Sequence, residues 1–224
     1  MARIYVDMRF FEIEREIWAI GEYLKTIPAQ VQQIVAQDRH RTSKILGAAG
    51  ANLDEAEIQA ELDEMHERTE KVFPRFVHIP CIVSIWACYE SGVTEVADFL
   101  ADGGSKKLRI RDVRRGNFVK NAESYYSTVL NVSLDNSEDR LARLADLLVI
   151  RNAIAHRNGR SGPSGTADGV KSVLARTAEI SVTEGYIDPS PVYLQNAYSD
   201  VSTSLGDLVW RVRGGPAVRF PGAA

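Results

Sequence analysis

The stretch from Pro74 to Leu100 limits the possible fold more than any other part of this chain. Ile82, Trp86, Tyr89, Val93, Val96 and Leu100 recur at helical spacing, and Cys81, Ile85, Cys88, Gly92 and Phe99 form a second stripe beside them. A helix apolar over so wide an arc must be buried on more than one side. Its neighbours have to come from the rest of the chain, which predicts an all-α helical bundle with this segment at the centre. Glu90 lies midway along it, an unusual place for a carboxylate.

The surrounding segments supply those neighbours. Phe10, Ile13, Ile17, Ile20 and Leu24 alternate spacings of three and four, predicting a first helix over about 7–26. Pro28 is expected to interrupt it, with a more polar helical stretch to about Leu46 and a connection over 47–52. Asn52 or Asp54 is a suitable cap for a short acidic helix reaching about Lys71. Another helix is expected near 117–130, carrying Tyr125 and Tyr126. Asn136 or Ser137 caps the next, in which Leu141, Leu144, Leu148 and Ala155 line one face and Asn158-Gly159 is the stop signal.

The composition of 161–169, SGPSGTADG, is that of a flexible linker, with a helical piece to follow at about 168–178. Residues 179–182 and Tyr186-Ile187, flanking Glu184-Gly185, predict a small β-hairpin near the C-terminal helix. Asp188-Pro189 reads as the cap and first turn of that helix, along which Leu194, Tyr198, Val201, Leu205, Leu208 and Val212 recur. The expected organisation is one helical domain over 1–213, with the N-terminal helices of 1–71 packing on a core of 74–213. A flexible tail over 214–224 completes it.

Several function classes are disfavoured. No apolar run approaches the roughly 20 residues that span a bilayer, and the acidic N-terminal stretch lacks the pattern of a signal peptide. A cytoplasmic protein without a membrane partner is expected. Cys81 and Cys88 are seven apart on one helix face, where they read as core thiols. His40, His66 and His78 have no metal-ligand spacing, and no cofactor is expected. The net charge of −3 argues against nonspecific coating of nucleic acid but leaves room for a local basic patch. One such patch is present: Lys106, Lys107, Arg109, Arg111, Arg114 and Arg115, set against Asp102 and Asp112.

The segment with chemical potential is Arg151-Asn152-Ala153-Ile154-Ala155-His156, at the end of an apolar helix. Cutting RNA without a metal needs a base for the 2′-hydroxyl proton, an acid for the leaving 5′-oxygen and a cation for the charged phosphorane. Histidine, with an ordinary pKa of about 6.5, can move protons near neutrality. Arginine is always charged, and its planar fork matches phosphate oxygens. At about 100° per residue, Asn152 and His156 are neighbours that can hydrogen-bond. Arg151 and His156 diverge by about 140° on a regular helix. Arg151 must therefore reach around, or His156 must leave the helix, or a second copy must complete the site across a two-fold axis. The dimer is the most economical of the three. Arg157 and Arg160 extend the positive charge beside His156.

Val149-Ile-Arg-Asn-Ala-Ile-Ala-His-Arg157 resembles the signature of the HEPN superfamily: an arginine, usually followed by a polar residue, and a histidine four to six residues on. The layout is similar over roughly 75–213, and Trp86-Ala-Cys-Tyr-Glu90 looks like the segment that packs on the motif helix in HEPN-like nucleases of bacterial toxin and phage-defence loci. The resemblance implies a HEPN-type bundle, a homodimer, and metal-independent RNA cleavage to 2′,3′-cyclic phosphate and 5′-hydroxyl ends. Arg151, Asn152 and His156 would be the catalytic residues and Glu90 a supporting acid. Arg157, Arg160, Lys106, Lys107, Arg109, Arg111, Arg114 and Arg115 would contact the RNA. The implied partners are the RNA substrate, a second copy of the chain, and an antitoxin or sensor protein. In one branch of these toxins a tyrosine two residues past the histidine is modified by a nucleotidyltransferase antitoxin. That position is Asn158 here, so silencing by that route is not implied.

Plainer readings stay open. Arg151 and His156 also suit a helix C-terminus, where the dipole favours positive charge. Asn152 would serve as a surface amide, Glu90 as a buried partner for an arginine, and the basic loop as a solvated surface. The alternatives to an enzyme are a catalytically inactive RNA- or nucleotide-binding or scaffolding module of the same type, and a purely structural helical protein.

Overall fold

The computed structural model describes residues 8–49, 53–114, 116–157, 159–160 and 168–214. Helix α1 spans Met8–Ala49, α2 Glu55–Glu67, α3 Phe73–Gly103, α4 Phe118–Tyr125, α5 Glu138–Arg157, α6 Asp168–Arg176 and α7 Pro191–Arg213. The strands β1 (Ile180–Thr183) and β2 (Tyr186–Pro189) form one antiparallel hairpin. The fold is all-α with a small hairpin ahead of the last helix.

Helix α3 is the axis of the bundle, packed by α1, α5 and α7. The Phe10 and Phe99 rings meet edge to face at 4.8 Å, and Ile13 lies against Gly92, so α1 runs opposite to α3. Helix α1 also runs opposite to α7, because Gly21 faces Tyr198 and Glu14 pairs with Arg213 at 2.6 Å. Arg143–Asp200 (2.7 Å) and Arg140–Asp207 (2.9 Å) set α5 antiparallel to α7. Thus α3 and α7 point one way, and α1 and α5 the other. Gly92 permits the tightest crossing: a Cβ there would stand 2.9 Å from Leu205 Cδ2 and 3.4 Å from Ile13 Cγ2.

Both stripes of α3 are buried, including Cys81, Ile82, Ile85, Trp86, Cys88, Tyr89, Val93 and Val96. Each such side chain contributes about 1.5–3 kcal/mol relative to exposure. The two cysteines are free, and burial pushes their thiols up to about 11 and about 12, so both stay protonated core groups. Tyr125 and Tyr126 enter the core with their hydroxyls satisfied, donating to the Leu108 and Val93 carbonyls at 2.7 Å each. Asp135 is buried and accepts two bonds from Arg140, at 2.7 and 2.6 Å. Burial alone would raise its pKa, but the bonds from Arg140, Ser204 and the Ser137 backbone outweigh that and hold it below the usual range.

Several boundaries differ from the sequence expectations. Helix α1 passes through Pro28 without a break. Pro28 is exposed beside buried Leu24 and Ile27, so its lost hydrogen bond opens to water while the buried face keeps packing. The acidic helix does not stop at Lys71: a π-turn over Arg68–Val72 carries it into α3, where Pro74 sits in the first turn. Asp54 is the cap, with a full capping box to Glu57. Ala155 is exposed, and the buried face of α5 is instead Leu144, Leu147, Leu148, Ile150 and Ile154. Asp188-Pro189 does not open the last helix. Ser181 pairs with Asp188 and Ile180 with Pro189, and the next Ser-Pro, Ser190-Pro191, supplies the cap and first turn. Of the expected linker over 161–169, residues 168 and 169 open α6, and of the expected tail over 214–224, Gly214 is the left-handed cap of α7; 161–167 and 215–224 lie outside the described residues.

The continuous helical run Glu55–Gly103 contains an 18-residue window of mean hydropathy 1.4, enough by length and composition alone to cross a bilayer. In this fold 39% of that window is buried. A search for uninterrupted apolar runs misses it, because polar residues such as His78, Ser84 and Glu90 are scattered along α3.

Candidate functional site

Helix α5 is defined at both ends by local chemistry. The Ser137 hydroxyl accepts from the Arg140 backbone at 3.2 Å, and Glu138 and Asp139 occupy the positive first turn. His156 and Arg157 occupy the negative last turn. Gly159 then takes a left-handed φ of +73°, which ends the helix. The Gly159 carbonyl accepts from the Ile187 backbone at 2.8 Å, and Arg160 forms a bridge to Tyr186. The end of the motif helix is thereby fastened to β2.

Arg151 follows Leu147 by four residues and precedes Ile154 by three, so it lies at the margin of the buried face. Its side chain is half-buried, and Nη1 donates to Asn152 Oδ1 at 3.0 Å. Nε is cut off from solvent without a hydrogen-bond partner among the described residues. A buried donor left unmade costs about 1–3 kcal/mol, and more when charged. His156 and Arg157 are exposed, and neither side chain has a partner among the described residues. The Asn152 oxygen accepts from Arg151, and among the described residues no Asn152–His156 bond is formed. Asn152 therefore holds the arginine, with His156 one turn further on.

Glu90 is half-buried and accepts from Trp86 Nε1 at 2.9 Å, an internal contact of α3. No arginine pairs with it among the described residues. Arg160 is exposed and donates from Nε to the Tyr186 hydroxyl at 3.0 Å.

The basic loop is elsewhere. Arg109 is fixed to the far end of α3 by Asp102 at 2.7 Å and Asp98 at 3.5 Å, and its guanidinium holds the Asp102 carboxyl below the usual range. The motif end touches α3 at Ile79, whose Cδ1 would stand 3.2 Å from a Cβ on Gly159. From Ile79 to Asp102 is roughly 35 Å of helix at about 1.5 Å per residue. Lys106, Lys107, Arg109, Arg111 and Arg114 therefore do not share a cleft with His156 of the same chain, and Arg115 lies outside the described residues. A cleft of about 400 Å³ is lined by Arg9, Asp98, Asp102, Arg109 and Arg111 at that distant end.

Near the motif, sequence reasoning missed a cluster. His78 on α3 is buried, and its Nδ1 has no partner among the described residues; burial lowers its pKa, against the Pro189 carbonyl and the nearby Asp188 charge. Lys71 pairs with Glu184 at the hairpin turn. Arg75 packs on the Tyr186 ring. These residues are over a hundred positions apart in sequence, and nothing local to either segment signals the pairing. Among the described residues, no three His, Cys, Asp or Glu side chains are gathered as a metal site. Comparison of the chain with protein-family models, with curated proteins and with solved structures finds no match.

Proposed function

We propose that the chain is a metal-independent endoribonuclease of HEPN type, with Arg151, Asn152 and His156 as its working residues. The observation that carries this is Arg151. A half-buried guanidinium with an unpaired Nε is held by Asn152, one turn from an exposed histidine and a second exposed arginine. Arg211 also keeps unpaired donors, but its Nη2 is spent on the Ser133 and Leu134 carbonyls, whereas among the described residues Arg151 bonds only the neighbouring Asn152. An arginine kept partly unpaired is suited to a phosphate that arrives later.

In the proposed reaction the 2′-oxygen attacks phosphorus as a base removes its proton. The bond to the 5′-oxygen breaks as that oxygen gains a proton, leaving a cyclic phosphate and a 5′-hydroxyl. His156 supplies the proton transfers and Arg151 stabilises the phosphorane. Because Arg151 and His156 diverge by about 140° on one helix, each centre takes Arg151 from one copy and His156 from the other, so a homodimer is part of the proposal. A role as toxin or defence effector in the cytoplasm, answering to an antitoxin or sensor protein, rests on the HEPN resemblance.

The test is incubation of wild type, Arg151→Ala and His156→Ala with end-labelled RNA in excess EDTA. Cleavage by wild type alone, leaving cyclic-phosphate ends, is expected. Cutting that persists in both variants would sink the assignment. A non-catalytic RNA-binding module is the second reading, favoured by the engagement of Asn152 with Arg151 instead of His156. It gains if wild type binds RNA and cuts none.

A further inference from the structure

Four side chains form an alternating row of rings and cations beside the end of α5. The Arg75 guanidinium lies 3.8 Å from the centroid of the Tyr186 ring and 5.5 Å from that of Phe76. Arg160 stands 5.5 Å from the same Tyr186 centroid while its Nε bonds the Tyr186 hydroxyl. Phe76 closes the row with 60% of its surface exposed. The row is held in place, because Ile79, one turn beyond Phe76, meets Gly159, and Gly159 and Arg160 are tied to β2. His156 and Arg157 occupy the turn of α5 just before.

The row has the two components that a flexible nucleic-acid strand requires: cations for phosphates and an open aromatic face for a base. Arg75 is pre-oriented by the rings on which it packs, so little freedom remains to be lost on binding. The neighbouring carboxylates are Glu67, Glu184 and Asp188, which line a cleft of about 210 Å³ with Lys71 and Arg75. Lys71 is paired with Glu184, so Glu67 and Asp188 face Arg75 within the cleft, and Arg160 adds a second cation at the same Tyr186 ring. A duplex keeps its base faces stacked inside, so only an unpaired base can lie on Phe76.

We propose that Phe76 is a stacking platform for a base of single-stranded RNA, with Arg75 and Arg160 contacting the adjoining phosphates. This rests on reading the end of α5 as an RNA site, and it specifies that the substrate is single-stranded there.

The test uses full-length His156→Ala protein, so that the probe survives, with fluorescence anisotropy of end-labelled single-stranded oligoadenylate and of a matched RNA duplex. Adding Phe76→Ala should weaken single-strand binding by about ten-fold, the loss of one base–aromatic stack, and leave the duplex unchanged. Phe76→Trp should retain affinity and add an emission change on titration that the parent lacks. Equal single-strand affinity with and without the Phe76 ring overturns the proposal, as does a parent that binds no oligoadenylate. Loss of self-association in sedimentation with unchanged oligoadenylate affinity also overturns it, assigning the face to a protein contact. If Phe76→Ala does not fold by circular dichroism, the Phe76→Trp emission decides. Absent cleavage with intact Phe76-dependent binding removes only the ribonuclease reading. Wild-type cleavage with Phe76-independent binding removes only the platform.

Discussion

At the residue scale, the two groups of most interest differ in what burial does to them. Arg151 loses water from Nε, a cost that an arriving phosphate can offset. His78 is titratable, and burial acts as the larger influence, lowering its pKa below the ordinary value. The sign follows from linkage. The unfolded chain binds a proton on His78 at a higher pH than the folded one, so stability is full above about pH 6.5 and falls as pH drops through that value towards the folded pKa. The Pro189 carbonyl and the Asp188 charge oppose the shift without reversing it. Urea midpoints should therefore decline from neutral to mildly acidic pH, and His78→Gln should flatten that decline. An unchanged slope in the variant would assign the acid sensitivity to other groups. Because His78 sits under β2, the hairpin is where acid should loosen the fold first.

At the element scale, the join between α5 and the hairpin carries the site. Gly159 sits at φ +73°, where a Cβ is disfavoured by about 1–2 kcal/mol, and that Cβ would also press on Ile79. Gly159→Ala should lower the thermal midpoint by about 2–4 °C or more, the shift expected for about 1 kcal/mol in a chain of this size. A midpoint equal to wild type would mean that this turn relaxes freely and does not fix the motif end. Much of this element was legible beforehand. The helical period of α5, a cap at Asn136 or Ser137 and the glycine stop follow from local rules, although the face that packs is turned from the expected one, with Leu147, Ile150 and Ile154 inside and Ala155 outside. So do the stripes of α1, α3 and α7 and the Glu184-Gly185 turn, whose two positive φ values of 53° and 80° suit a tight hairpin. What failed was choice between equivalent local signals. Asp188-Pro189 and Ser190-Pro191 are both good helix starts, and the strand register, a non-local property, selects the second. Pro28 reads as a stop until packing of Leu24 and Ile27 is known. Within the site, Arg151 and His156 stand out by type and spacing, but the Arg75–Tyr186 contact does not, because it joins positions with no shared local pattern.

At the scale of the whole molecule, the antiparallel order of the helices puts the motif at one end of the bundle and the exposed tryptophans at the other. Trp18 lies one turn beyond Glu14, Trp210 nearly one turn before Arg213, and those two charges pair, so Trp18, Trp210 and Phe11 flank one ion pair at the end away from His156. A two-fold dimer built on that end would hold the two motif helices far apart. The proposed shared site requires the axis to pass near the end of α5 instead, so that Arg151 of one copy and His156 of the other meet one phosphate. Mixed dimers separate these arrangements. When Arg151→Ala and His156→Ala chains are unfolded together and refolded in equal amounts, half of the dimers are mixed, and a shared site leaves one of their two centres intact. Cleavage should then return to about a quarter of the wild-type rate, although neither variant cuts alone. If each chain carries its own complete site, every centre in the mixture lacks a residue and no activity returns. That outcome would require Arg151 to reach His156 within one helix, across an angle of about 140°, and would place the cost of the unpaired guanidinium in its release from Asn152.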